Sequence, residues 1–331
     1  MLGMGEGLKT PVVLIIFNRP NLTRAVFERI RSVKPHTLMI VADGPRNGRA
    51  TDSKAVRLTR QIVENVDWPC ELLKNYSDAN MGCGVRVASG IDWVFQHVEE
   101  AIILEDDCLP DPSFFPFCGE LLERYRDHER VMQISGSNFL FDRYAVEQSY
   151  YFSRYPVCWG WATWRRAWRR NDFEMSAWKT DPERCLARFA DKRERDFWQT
   201  NLEAVRDGRV DTWDYQWSLA CQNANGLAVT PSENLVTNVG FGPDATHTTS
   251  RLLSVRPAVR AIKFPLRHPR HLEPNIEADE FTARRIFYKR SRLGKAAELL
   301  RRRLFAALSH AGRGYESPEV SSVTMSSVRS K

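Results

Sequence analysis

Three acids in a row carry the first chemical signal. Glu105, Asp106 and Asp107 come directly after Ala101-Ile102-Ile103-Leu104, an apolar run fit for a buried strand. One loop acid is ordinarily a turn residue. Three behind a buried strand concentrate negative charge at a strand end, where open parallel sheets bind ligands. Carboxylates suit a hard divalent cation such as Mg2+ or Mn2+, with diphosphate oxygens completing its coordination sphere. Other phosphate-binding devices are missing. The turn after the first apolar run reads Phe17-Asn18-Arg19-Pro20-Asn21 and holds no glycine, so a dinucleotide fingerprint is absent. No G-x-x-x-x-G-K-[ST] occurs either. A pyrophosphate would have to be neutralised by something else, and an acidic cluster holding a cation does that.

Further candidates lie downstream. In Asp211-Thr212-Trp213-Asp214-Tyr215-Gln216-Trp217, Asp211 fits the N-cap of the next helix. Asp214, one turn in, lies near the positive helix end and is either a second helix-stabilising acid or a general base. Eight of the ten Trp fall between 159 and 217, and Trp161 and Trp164 read either as core or as platforms for a sugar ring. His247, in the polar stretch after Gly240 and Gly242, is either a solvated loop residue or part of a metal or phosphate site.

The elements that must position these groups are set by periodicity. Runs at 12–17, 37–42, 70–75 and 101–104 read as buried parallel strands. Between them lie three helical stripes: Leu22, Val26, Ile30 and Val33; Val56, Thr59, Val63 and Val66; Val87, Ile91, Val94 and Val98. Pro20 suits the first turn of the first helix. The βαβαβαβ order predicts an α/β fold with a parallel sheet and right-handed crossovers. Asp43-Gly44 then ends the second strand, where Asp43 alone reads as a turn residue.

Composition bounds the rest. The chain has 331 residues, 43% hydrophobic, with ordinary Gly and Pro usage. Seven scattered Cys form no C-x-x-C pair, which predicts reduced thiols in a cytoplasmic setting. The run at 12–17 is too short for a signal peptide or membrane span. The net charge of +7 is uneven: residues 281–313 hold ten Lys/Arg and one acid, whereas 1–280 are close to neutral. A basic surface confined to one segment argues against a nucleic-acid enzyme. Within 281–308, Ile286, Leu293, Ala297, Leu300, Leu304 and Leu308 share one helical face. That pattern predicts an amphipathic helix, either peripheral at an anionic inner-membrane face or docked on the body. The Ser-rich 314–331 tail reads as disordered.

Taken together, FNRP (17–20), VADGP (41–45), NMGCG (80–84), LEDDCLPDPSFF (104–115), WGWATWRRAW (159–168), DTWDYQW (211–217) and GFGPDATHT (240–248) resemble the GT-A-fold nucleotide-sugar glycosyltransferases. The likeness is to bacterial hemolysin-like or glycosyl transferase proteins and, more distantly, to the N-acetylglucosaminyltransferase I family. It covers roughly residues 10–290. It implies a mostly parallel central sheet flanked by helices, with a nucleotide-binding half (10–110) and an acceptor half (111–280). It implies nucleotide-sugar binding by Arg19, Asp43, Arg86, Glu105 and Asp106, with Asp43 at the base and Arg86 near the diphosphate. Asp107 would ligate Mn2+ or Mg2+, and His247 would lie in the loop that closes over the nucleotide. Asp214 falls at the inverting base, although Tyr215 stands next to it where the eukaryotic pattern has a second acid. The eukaryotic enzymes also carry an N-terminal anchor, and none is expected here. The expected reaction is metal-dependent transfer from a nucleotide diphosphate sugar, UDP favoured, to a glycan or glycolipid. Two rivals stand beside it: a sugar nucleotidyltransferase on the same fold, which would want a Gly- and basic-rich turn after the first strand, and a non-enzymatic carbohydrate- or membrane-binding protein.

Overall fold

The computed structural model describes residues 7–141, 143–240 and 258–286. His247 and the segment 287–331 lie outside the described residues, and with them the roles expected of His247, of most of the basic helix and of the tail.

The first half alternates strand and helix as the periodicity predicts: β1 (Val12–Ile16), α1 (Pro20–Val33), β2 (Thr37–Ala42), α2 (Ala50–Glu64), β3 (Glu71–Tyr76), α3 (Cys83–His97) and β4 (Glu100–Glu105). Next come β5 (Cys108–Pro110), α4 (Phe114–Arg124), β6 (Val131–Ser135), β7 (Tyr150–Ser153), β8 (Trp161–Trp164), the short α5 (Arg165–Trp168), α6 (Ser176–Thr180) and α7 (Pro182–Leu186), and α8 (Lys192–Arg206). The chain continues through α9 (Asp214–Asn223), β9 (Leu227–Pro231), β10 (Val236–Asn238) and α10 (Ile276–Ile286).

Eight strands form one sheet in the order β3-β2-β1-β4-β8-β6-β9-β7. The pairs β2–β3, β1–β2, β1–β4 and β6–β9 are parallel, and β4–β8, β6–β8 and β7–β9 are antiparallel. The α/β class and the mostly parallel central sheet are therefore as expected. β5 and β10 pair separately as an antiparallel ribbon, Asn238 opposite Cys108.

Why β1 is apolar on both faces is visible in the packing. Val12, Leu14 and Ile16 join one hydrophobic cluster with residues of α1, α2 and α4. Val13 and Ile15 point the other way, into a cluster with Val87, Ile91 and Val94 of α3. A strand covered by helices on both sides has no polar face to show. β3, at the sheet edge, shows no fully buried residue. α1 opens with Pro20, whose missing N–H costs nothing in the first turn, and closes on Lys34 in the left-handed conformation (φ 46°).

α10 crosses the boundary expected after residue 280. Its Ala278, Asp279, Thr282 and Ala283 are buried. Asp279 accepts from Ser153 Oγ (2.6 Å) and from the backbone N–H (3.0 Å) and Nε (3.1 Å) of Arg154, which anchors the helix to the end of β7. Among the described residues no helix is long and apolar enough to cross a membrane.

Candidate active site

A cleft of about 350 Å³ opens at the C-terminal ends of β1, β2 and β4. In the parallel register Ile15 of β1 stands opposite Glu105 of β4, and Ile16 opposite Ala42 of β2. The three strands end level, so their C-terminal extensions are brought to one place: Phe17-Asn18-Arg19, Asp43-Gly44 and Asp106-Asp107.

Arg19 holds the acidic triplet together. Its Nη1 donates to Asp107 Oδ2 at 2.9 Å and its Nη2 to Asp106 Oδ1. Asp106, almost wholly buried, also receives the Phe17 N–H at 3.4 Å. Asp107 Oδ1 receives Asn238 Nδ2 at 3.2 Å, and the Asp107 carbonyl receives the Val239 N–H. Burial works against the Arg19 charge, yet the two aspartates outweigh it and hold the guanidinium above its ordinary value. Burial, then the like charges of Asp107 and Asp106, push Glu105 well above the usual carboxylate range. Burial pushes Asp106 up as well, against the pull of Arg19.

Asp43 ties two loops together. Its Oδ1 accepts from the N–H of Gly44 (2.8 Å) and Met81 (2.9 Å), and its Oδ2 from Asn80 Nδ2 (2.7 Å). Burial raises its pKa, and the two N–H donors oppose that rise. Arg86, in α3, is also buried; its Nη2 donates to the carbonyl and side-chain oxygens of Asn75, both at 2.6 Å. Its buried Nε has no partner among the described residues. Burial lowers its pKa despite the attraction of Asp43. Both residues line the cleft.

The opposite wall comes from the segment leading into α9. Asp214 is the first residue of that helix, and its Oδ1 accepts from Thr212 Oγ1 and the Tyr215 N–H. Among the described residues nothing donates to its Oδ2. Asp211 departs from the reading of it as the cap of this helix. The residue at the N-cap of α9 is Trp213, whose side chain makes no capping hydrogen bond. The Asp211 carboxylate instead receives the N–H groups of Cys83 and Gly84, each at 2.8 Å, and so caps α3.

Trp161 and Trp164 are core residues rather than sugar platforms. They are 1% and 2% exposed, which leaves them no face for an acceptor sugar. Trp161 stacks on Trp213 (5.5 Å between centroids) and contacts Trp217, while Trp164 donates its Nε1 to the Leu122 carbonyl. They belong to β8, a central strand whose four residues are all buried. Two other indoles border the cleft: Trp159, half-buried, and Trp213, itself only 3% exposed and packed against Trp161. Asn80, Asn238 and Gly240 also line the cleft, and no sequence pattern marks them as site residues. Asn80 lies within NMGCG and Asn238 just before GFGPDATHT, but only the folded loops and the β5–β10 ribbon reveal that each meets an aspartate.

A divalent cation has a limited fit here. Among the described residues no three His, Cys, Asp or Glu side chains converge on one point. The donor set suits a cation held by Asp107 alone or with one more carboxylate, the remaining positions filled by phosphate oxygens and water, which is the habit of Mg2+.

No family model matches the chain, and no curated protein does. Solved structures similar to it include a mannosyltransferase from Pyrobaculum calidifontis in complex with GDP-Man and Mn2+, at 13% identity over 67% of this chain and 74% of that one, TM-score 0.36. Others are a UDP-glucose pyrophosphorylase complexed with UDP-glucose (13% identity, 44% of this chain, TM-score 0.26) and the inositol-1-phosphate CTP transferase from T. maritima (9%, 44%, TM-score 0.25). The match spans 62% of the pyrophosphorylase and 63% of the CTP transferase. Likenesses this distant leave substrate and reaction to the site itself. The resemblance to hemolysin-like proteins and to N-acetylglucosaminyltransferase I rests on short motifs alone.

Proposed function

We propose that this chain is a GT-A-type glycosyltransferase that moves a sugar, with inversion, from a nucleoside diphosphate sugar to a hydroxyl of a glycan or glycolipid. One observation carries the reading. One cleft at the strand ends has Glu105 and the Arg19-bridged Asp106 and Asp107 on one wall and, on the other, Asp214, whose Oδ2 receives no hydrogen bond among the described residues. Charge handling on one side and a carboxylate acceptor on the other is what displacement at an anomeric carbon needs.

The roles divide by position. Asp43, Asn80 and Arg86 build the end of the cleft beneath β2, where the nucleoside would lie. Asp107 would hold Mg2+ or Mn2+, which when bound neutralises charge on the departing diphosphate. Arg19 supplies a second positive centre beside it. Asp214 Oδ2 takes the proton of the attacking hydroxyl while Thr212 and the Tyr215 N–H keep the carboxylate oriented. Trp159 lines the acceptor side. The turn at 17–21 lacks the glycines and cluster of basic residues that a triphosphate-binding loop would use, which favours glycosyl over nucleotidyl transfer. The ten basic residues of 281–313 favour an acceptor presented at an anionic membrane surface.

The test is a panel of UDP-, GDP-, dTDP- and CMP-sugars with Mn2+, first for binding and then for turnover. Asp214→Asn keeps shape but removes proton acceptance. It should lower turnover about 10² to 10⁴-fold with donor affinity unchanged. Full activity in that variant would remove the assigned base. Pyrophosphate release from a nucleoside triphosphate and sugar phosphate would replace the reading with nucleotidyl transfer.

A further inference from the structure

Arg19 sits where a cation at Asp107 would have to go. Its guanidinium forks across two neighbouring carboxylates, Nη1 on Asp107 and Nη2 on Asp106. The other oxygen of Asp107 is taken by the Asn238 amide. The chain at Gly240 closes over the pair: a Cβ there would stand 2.2 Å from Asp107 Oδ2 and 2.9 Å from Arg19 Nη1. Among the described residues, Arg19 is the positive group that offsets the crowding of charge at Glu105 and Asp106.

We propose that Arg19 is a built-in counter-cation that occupies the Asp107 carboxylate in the free protein and yields it to a divalent cation only when a diphosphate arrives to take the guanidinium. The inference rests on the glycosyltransferase reading of the cleft and adds an exchange to it. A guanidinium and a divalent ion on one carboxylate oxygen repel each other, so the ion enters as Arg19 leaves. Arg19 has somewhere to go because its planar fork matches phosphate oxygens as well as carboxylates. Its side chain is 24% exposed on the cleft side, so the swing needs no opening of the core. Asp106, 2% exposed, would then be left as a buried charge. Because binding energies are reciprocal, the diphosphate must raise cation affinity by the same factor as the cation raises diphosphate affinity.

The experiment measures Mn2+ binding by the loss of free-ion electron paramagnetic resonance, without nucleotide, for the full chain. Arg19→Gln is the direct variant. Arg19→Gln combined with Asp106→Asn removes one buried negative charge with the positive one, so the core is not left with an uncompensated carboxylate. The expected result is weak Mn2+ binding by the wild type and at least about tenfold tighter binding by the double variant, a gain lost when Asp107→Asn is added. UDP binding in Mn2+ should weaken in both Arg19 variants. If the double variant binds Mn2+ no tighter than wild type, while Asp107→Asn alone abolishes Mn2+-dependent UDP binding, the exchange is wrong and the cleft reading survives. If wild type and Asp107→Asn bind Mn2+ and UDP alike, the cleft reading falls and the exchange with it.

Discussion

Asp211 caps a helix 128 residues away: its carboxylate receives the Cys83 N–H at 2.8 Å and, through its second oxygen, that of Gly84. This contact pins the segment carrying Trp213 and Asp214 to the start of α3. The cleft wall that holds the proposed base is thus fixed by the same helix whose Arg86 borders the nucleoside end. Gly82 and Gly84 leave the room: a Cβ on Gly82 would stand 2.6 Å from Asp211 Oδ2, and one on Gly84 would stand 2.7 Å from the Thr212 carbonyl. Gly82 also has φ +81°, a region where a side chain is strained.

Asp211→Ala is therefore expected to destabilise the protein by about 0.5–2 kcal/mol, the range for losing a helix cap. Asp211→Asn should cost less but remain measurable, because an amide offers one acceptor oxygen where the carboxylate offers two. Denaturant unfolding of the three proteins gives the order. Equal midpoints would mean the contact adds nothing to stability.

The indoles divide into core and cleft. Trp161→Ala should cost about 3–5 kcal/mol, as large-to-small changes of buried aromatics do. Trp159→Ala, at a half-buried position lining the cleft, should cost much less and alter substrate affinity instead. Thermal melts beside KM measurements separate the two. A Trp161→Ala protein as stable as wild type would contradict its placement.

Gly240→Ala tests the close approach of backbone to the acidic pair. Its Cβ cannot stand 2.2 Å from Asp107 Oδ2, so either the carboxylate or the chain after β10 must shift. UDP affinity in Mn2+ should fall while the melting temperature changes little, because Gly240 lies at the rim of the cleft. Wild-type affinity measured by calorimetry would show that the rim adapts freely.

Asp52 gives a pH dependence outside the cleft. Its hydrogen bond from Arg46 chiefly, with help from Asn18, holds its pKa down at about 2 against the cost of burial. An unfolded Asp titrates near 3.9. The folded pKa is the lower one, so this carboxylate stabilises the fold above about pH 4, and the contribution is lost as pH falls from there toward 2. The melting-temperature gap between wild type and Asp52→Asn should be constant near neutrality and close below pH 4. A gap that widens with acid would reverse the sign.

The amino-acid pattern already dictates the alternation of strands and helices in the first hundred residues. Two-sided apolar runs such as Val12–Ile16 have few other places to go than a covered parallel sheet, and the spacing of Val87, Ile91 and Val94 makes one helical face. It also determined that acids would gather at the end of β4, since charge cannot continue a buried strand. Which groups meet follows only from the folded sheet. Nothing local tells that Arg19 bridges Asp106 and Asp107, because the level ends of β1 and β4 are a consequence of sheet register. Asp211 reads as the cap of its own helix because capping is a local rule, but a carboxylate goes to whichever unpaired N–H groups the fold brings near, and those belong to α3. Trp161 and Trp164 cannot be divided from Trp159 by composition. An indole suits a core and a sugar equally well, and only the central position of β8 in the sheet buries the first two while Trp159 stays half-buried at the cleft.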